Sequence, residues 1–312
     1  MDLTNITYHP IAVYNQVDPT RTVSLRNAFA RDMRKRFMKV ALEIASAIVK
    51  EDIFGLNNIH TFQTPGNQAF AFRRSEDKVA RFMQWLQSQV DAGILEVGEL
   101  HQIGVGVNDH WTNKYIFDSY KRGVMRARYE MQKSGMTVPT IEETGGIEIS
   151  MGTPFHIDRL GLLYTRVFSD LKGITTAMDA QISRILTQGI ADGDNPRPLA
   201  RKLVATINGT GMGDLSLTDS LGRFVPAQRR AEILARTEII RAHHQATIQE
   251  YMNWRVSGVM VQAEVMTAGD KRVCSRCEIL AKGGPYSLEE AMNMIPDHPQ
   301  CRCVALPFLI KK

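Results

Sequence analysis

All four cysteines of this 312-residue chain fall in one window of thirty residues near its end. Cys274 and Cys277 form a Cys-x-x-Cys pair. Twenty residues later, His298 precedes Cys301 and Cys303. Cysteine used as an ordinary small hydrophobe would be scattered; two close sets point to a shared ligand. Structural Zn²⁺ is tetrahedral, takes Cys and His at about 2.0–2.3 Å, and is announced by paired short spacings of this kind. The pattern predicts a structural zinc held by four of the five donors Cys274, Cys277, His298, Cys301 and Cys303. Cys274 and Cys277 are its firmest ligands, and the other two places stay open among His298, Cys301 and Cys303. In a regular strand Cys301 and Cys303 would face opposite sides, which favours one as ligand and the other as core. The competing reading is two disulfides, which suit small secreted domains, but the chain shows no secretory leader and a low cysteine fraction. A catalytic zinc needs an open position, and five donors favour closure. Asp297 and Asp270 are either partners that orient the histidine or solvated turn residues.

The flanks indicate what an ion would fasten. Residues 259–265 are β-branched and partly alternating and read as a strand. Residues 304–310 read as a second strand, with Pro307 restricting it to an edge or a bend. Between them, Lys282-Gly283-Gly284-Pro285 marks a turn, and Ser287 with Glu290 forms a capping box for a short helix.

Three stretches together carry a family resemblance. They are Thr267-Ala268-Gly269-Asp270-Lys271-Arg272-Val273-Cys274-x-x-Cys277, the segment Tyr286-Ser287-Leu288, and Ile295-Pro296-Asp297-His298-Pro299-Gln300-Cys301-Arg302-Cys303. They resemble the C-terminal signature of the phage head morphogenesis family, the Mu F-like minor head proteins of tailed phages. Arg236-Thr237-Glu238 followed by Ala242 is similar to the family's Arg-Thr-Glu helix. The likeness is specific over about residues 226–307. Two positions depart from it: Val265 stands where an aromatic residue is frequent, and His244 where asparagine is common.

Upstream, residues 1–20 read as an extended arm. Leu25, Phe29, Met33, Phe37, Val40, Ile44 and Ile48 recur at helical spacing across 21–50. That helix carries Arg31, Arg34, Lys35, Arg36 and Lys39, either a strip facing nucleic-acid phosphates or a solvated face. Residues 51–75, with Phe62, Phe70 and Phe72, suggest a hairpin or ordered loop. A second helix is predicted over 76–94. A third, capped by Asn108 or Asp109, carries Ile116, Tyr120, Gly123, Ala127 and Met131, with Arg122, Arg126 and Arg128 in solvent. The longest helix spans 157–190, roughly 50 Å at 1.5 Å per residue, and is ended by Gly193 and Pro196. A short helix over 197–207 and a glycine-rich connector over 209–222 follow. The connector lacks the lysine and the strand of a phosphate loop. Pro226 opens a helix reaching about Val256. On it Arg236 or Arg241 is expected to pair with Glu238; no zinc-protease His-Glu-x-x-His spacing is present around His243 and His244.

These signals predict a mainly α chain with a small C-terminal α+β unit, a helical bundle followed by a zinc-pinned antiparallel β element. The segments expected are an arm at 1–20, a helical domain at 21–150, a long-helix and connector region at 151–225, and a head-morphogenesis-type domain at 226–312. No apolar run is long enough to span a membrane, and the net charge of +5 permits an acidic partner without requiring one. The resemblance implies a non-enzymatic structural protein of the virion, made in the host cytoplasm. Its expected partners are the portal or the capsid's inner shell, with packaged DNA a further candidate and no small-molecule substrate. Arg236, Thr237 and Glu238 would be structural polar residues. A toxin-like effector or enzyme on the same domain, and a stand-alone nucleic-acid-binding zinc protein, are the alternatives.

Overall fold

The structure, a computed structural model, describes residues 18–54, 76–96, 110–208 and 225–309. In chain order its elements are α1 (Val23–Val49), α2 (Glu76–Gly93), α3 (Asn113–Lys133), α4 (Ile147–Met151), α5 (Pro154–Asp192), α6 (Pro196–Asn208), α7 (Ala227–Val256), β1 (Val261–Met266), α8 (Ser275–Gly283), α9 (Leu288–Ala291) and β2 (Val304–Leu309). The chain is mostly helical with one two-stranded antiparallel sheet near its C-terminal end, as its patterning indicates. The expected hairpin over 51–75, the caps Asn108 and Asp109, the glycine-rich connector and most of the N-terminal arm lie outside the described residues.

Two compact units are present. One gathers Asp118–Ile157 and Ile239–Lys312 with the stretch up to Ser24; the other comprises Leu25–Phe117 and Asp158–Glu238. The division falls inside α1, α3, α5 and α7.

In the second of these units the apolar stripes behave as their periodicity predicts. Leu25, Phe29, Met33, Phe37, Val40, Ile44 and Ile48 of α1 are all buried. So are Phe82, Leu86 and Val90 of α2, and Leu160, Leu163, Val167, Leu171, Met178, Ile182 and Leu186 of α5. Withdrawing each large apolar side chain from water is worth about 1.5–3 kcal/mol, so the helices are held by packing and not by propensity alone. The end of α5 follows from one residue. Gly193 adopts φ 72°, a left-handed conformation that costs glycine little, and the Asp194 N–H reaches back to the Gly189 carbonyl at 2.8 Å. Pro196, with no N–H to lose, then opens α6.

In the unit that carries the cysteines, α7 is the central element. From Ile239 to Tyr251 every residue except Arg241 is buried, so the helix has no solvent face over that stretch. Gly123 of α3 permits the close approach: a Cβ there would lie 2.4 Å from the His243 carbonyl oxygen and 2.7 Å from the Ala246 Cβ. The third helix begins at Asn113, after a turn at His110-Trp111-Thr112, not directly behind residues 108–109.

The sheet packs on the same unit. β1 pairs with β2 in the register Val261↔Leu309 through Met266↔Val304. On its other side, the Ala263 N–H donates to Tyr286 O at 2.9 Å and the Tyr286 N–H to Ala263 O at 2.8 Å. Ala263 is also the partner of Pro307 in the β2 register. Because both main-chain groups of Ala263 turn toward Tyr286, Pro307 occupies a non-hydrogen-bonded position, and its missing N–H costs the ladder nothing.

Candidate metal centre

The two short strands alone bury little; what gathers at their ends is the cysteine window. Cys274 caps α8, and its sulfur accepts the Cys277 N–H at 3.4 Å. This helix is not apparent in the sequence, where the stretch reads as a knuckle and turn. Cys277 Sγ lies 3.3 Å from His298 Nε2 and 3.8 Å from Cys301 Sγ. The donor atoms of Cys274, Cys277 and His298 lie within 4.8 Å of one another, as do those of Cys277, Cys301 and Cys303. All five donors singled out in the sequence are thus brought to one place, with Cys277 in both triads, and the groups could hold a metal ion. Cys277, Cys301 and Cys303 are buried, and none of the four cysteines is in a disulfide.

Cys301 and Cys303 do not alternate across a strand. β2 starts only at Val304, and the stretch before it is irregular. Gln300 takes a left-handed φ of 61°, and the Cys301 N–H closes a turn onto the His298 carbonyl at 3.1 Å. Both sulfurs consequently approach Cys277, so the strand-alternation argument fails where the chain is not a strand.

Without a cation, the thiols oppose one another. Burial first, then neighbouring Cys301, pushes the Cys277 thiol up. The Cys301 thiol is held down, first by the hydrogen bond from Cys303 and then by backbone N–H groups of Cys303 and Asp297, against the opposing effect of burial. A metal ion held there would take the sulfurs together as thiolates.

Ile240 of α7, Val265 of β1 and Ile295 pack around the sulfurs. The two nearby carboxylates are used elsewhere. Asp297 pairs with Arg276 at 2.6 Å, and Asp270 accepts from Arg272 and, at 2.7 and 2.5 Å, from Arg302. Neither orients His298, whose Nδ1 instead lies 2.9 Å from the Pro299 carbonyl. Asp270 therefore clasps the two ends of the window, and its carboxyl is held well below the usual range by Arg302 and Arg272. The Ser287–Glu290 capping box forms as expected.

The polar residues of α7 have structural surroundings. Glu238 is buried and lies 3.5 Å from Arg166, a partner not anticipated, while the Arg236 Nε has no hydrogen-bond partner. The Thr237 hydroxyl donates to Ile233 O at 2.7 Å. His243 and His244 are buried; burial, before any charge, lowers them to about 3 and about 4, and His244 Nε2 donates to Ala291 O at 2.7 Å.

The basic row of α1 divides. Arg34 makes two 3.0 Å hydrogen bonds to the buried carboxylate of Glu232. Arg36 donates to Gly93 O at 2.6 Å and covers the Trp111 ring at 4.2 Å. Arg31, Lys35 and Lys39 are exposed at a spacing of four residues.

A polar network went unread in the sequence. Arg128, expected in solvent, is buried. Its Nε donates to Glu250 Oε1 at 2.8 Å, and its Nη1 reaches Pro139 O, Thr140 O and Thr144 Oγ1 at 3.1–3.2 Å. Trp254 Nε1 donates to the same Glu250 oxygen at 2.7 Å, and His156 Nε2 to the other at 3.1 Å. A carboxylate only accepts, so His156 Nε2 carries the proton of that bond, and its Nδ1 lies 2.8 Å from the Tyr120 hydroxyl. Burial alone would raise the Glu250 carboxyl. The His156 hydrogen bond, the Arg128 charge and the Trp254 N–H outweigh it and hold it below its ordinary value. The signal was present: Tyr120, Val124 and Arg128 share one face of α3 at four-residue spacing.

No helix among the described residues is long and apolar enough to cross a membrane. Comparison with curated proteins and with solved structures gives no significant match. Residues 180–306 match the family model described as phage Mu protein F like protein. That span contains α7, β1, the start of β2 and all five soft donors, and it extends upstream of the motifs that carry the resemblance. The segment that carries the cysteine window is therefore similar to the Mu F-like phage head morphogenesis family.

Proposed function

We propose that the protein is a minor head component of a tailed phage, built into the virion by association with the portal or the inner face of the capsid. The family match carries this reading. Its role is structural: a bound zinc fixes the loop between β1 and β2 and so presents a defined surface. Zinc follows from the soft, sulfur-rich donor set. Metal binding worth about 10–16 kcal/mol in small zinc modules would dominate the folding of a unit with so short a sheet. Packaged DNA is a secondary partner, contacted through Arg31, Lys35 and Lys39, because Arg34 and Arg36 are engaged within the protein.

Co-expression with the portal and major capsid proteins of the same phage tests the assignment. The expected result is co-sedimentation of this chain with assembled heads, together with one zinc per chain by elemental analysis. Heads that form and exclude it would overturn the head-component reading. Soluble, folded protein with no metal would overturn the zinc.

A further inference from the structure

We infer that copies of this chain join by a heterologous contact, in which the acidic and apolar corner at residues 142–155 of one copy seats on the basic and apolar face of α1 of the next. The corner is distinctive in a chain of net charge +5. From Ser134 to Phe155 it holds three glutamates, Glu142, Glu143 and Glu148, and no lysine or arginine. All three are exposed, and so are two large apolar side chains, Ile149 and Phe155, each at 65%. These two stand on either side of the turn at Gly152, which ends α4.

The corner is held firmly while these side chains remain in water. Arg128 Nη1 grips the Pro139 and Thr140 carbonyls and Thr144 Oγ1 at 3.1–3.2 Å. The Gly146 N–H closes onto Ile141 O at 2.8 Å, and the Thr144 and Ser150 hydroxyls meet at 2.9 Å. His156, next to Phe155, is fastened to Glu250 at 3.1 Å and to Tyr120 at 2.8 Å. Ile149 lies over Gly145, where a Cβ would meet its Cδ1 at 2.8 Å. A preformed corner loses little conformational entropy on docking, and exposed apolar side chains rimmed by charge mark an interaction site.

The first helix offers the complement. At 100° per residue, Arg31, Lys35, Lys39 and Leu42 fall within about 80° around the axis of α1, with Leu42 between Arg31 and Lys35. All four are exposed, Leu42 at 64%, and they extend over about 16 Å of helix. Asp32 is turned to Lys114 at 3.6 Å and to the Tyr115 hydroxyl, and the exposed Glu43 lies at the rim of the face. Three cations around one leucine thus match three carboxylates beside an isoleucine and a phenylalanine. Each patch carries mainly one sign and repels its own copy, so a two-fold contact is disfavoured and acid meets base between unlike patches. The charges orient the encounter, and the apolar side chains supply the burial.

Sedimentation of the full chain over a range of concentration tests the contact. Wild type is expected to rise above the 35.1 kDa of one chain, and raised salt to reverse the rise. Two charge reversals, Glu142→Lys with Glu148→Lys and Lys35→Glu with Lys39→Glu, should each weaken association by about tenfold or more. Glu143 is left alone because it accepts the Thr140 N–H at 2.7 Å. Mixing the two doubly reversed proteins restores opposite signs at both patches and should bring association back. A wild type that stays monomeric, reversals without effect, or a mixture that stays monomeric overturns the contact. So does loss of duplex DNA binding in Lys35→Glu with Lys39→Glu while self-association is unchanged, which would leave that face to DNA phosphates alone. Circular dichroism, expected to be unchanged because the four side chains are exposed, separates these results from misfolding. Failure here leaves the head reading untouched, since co-sedimentation with assembled heads needs no contact between copies.

Discussion

Replacing Gly123 by alanine isolates a close helix–helix approach in the cysteine-bearing unit. In an unconstrained helix this change is favourable by about 1 kcal/mol, because alanine loses less backbone entropy. At Gly123 the added Cβ meets the His243 carbonyl oxygen at 2.4 Å and the Ala246 Cβ at 2.7 Å. Both are main-chain or first side-chain atoms, so no flexible tip can turn aside. Relief requires α3 and α7 to separate by close to an ångström over a packed contact. It also threatens the 3.4 Å hydrogen bond from Thr247 Oγ1 to the Gly123 carbonyl. Overpacking of this kind costs typically 1–3 kcal/mol and sometimes more, and a lost hydrogen bond adds about 1 kcal/mol. The net expectation is a loss of about 2–3 kcal/mol, a fall in Tm of roughly 5–10 °C. Gly173 of α5 is the control, since a Cβ there meets nothing within 4 Å. Gly173→Ala should be neutral or slightly stabilising. Differential scanning calorimetry of both variants decides the matter; Gly123→Ala melting at or above Gly173→Ala would refute the packing argument.

Two further perturbations address the buried polar groups. Glu250→Leu strands the Arg128 guanidinium, whose side chain is 5% exposed, and should cost about 3–5 kcal/mol in urea unfolding followed by Trp254 fluorescence; a loss below about 1 kcal/mol would show the network to be dispensable. The buried histidines set an acid limit on stability. From an unfolded value of 6.5, burial takes His243 to about 3 and His244 to about 4. Between pH 6.5 and 4 the unfolded chain therefore binds more protons than the folded one, and stability falls as pH falls across that window. His244→Gln keeps a donor for the Ala291 carbonyl while removing one titration, so its stability should decline less steeply there than wild type; identical slopes would refute the assignment.

Much of this could be read from residue order. Period and burial agree along α1 and α5 because each stripe faces a single core, and the five soft donors converge because their spacing is that of paired turns. What escaped had three physical causes. The α7 stripe is buried on all sides, so hydrophobic periodicity, which detects contrast between faces, had none to detect at His243, Gln245 or Glu250. Arg128 appeared solvated because charge is the cue for exposure; its partner Glu250 lies over a hundred residues away in the chain, and only tertiary structure pairs them. The two-residue alternation of Cys301 and Cys303 failed because the left-handed turn at Gln300 precedes the strand. Local spacing predicts local geometry, and these departures depend on contacts between distant segments.

The interlacing of the cysteine-bearing unit bears on how the protein can be handled. Its central helix comes from the last quarter of the sequence, whereas the helix that docks at Gly123 is encoded more than a hundred residues earlier. A clone starting at residue 180, the first position of the family match, would lack that helix along with Arg128 and His156. The donors would all remain, yet Glu250 would face water or aggregate-prone apolar neighbours where its cationic partner had been. During synthesis α3 must likewise wait for α7 and β2 to be made before this half can close.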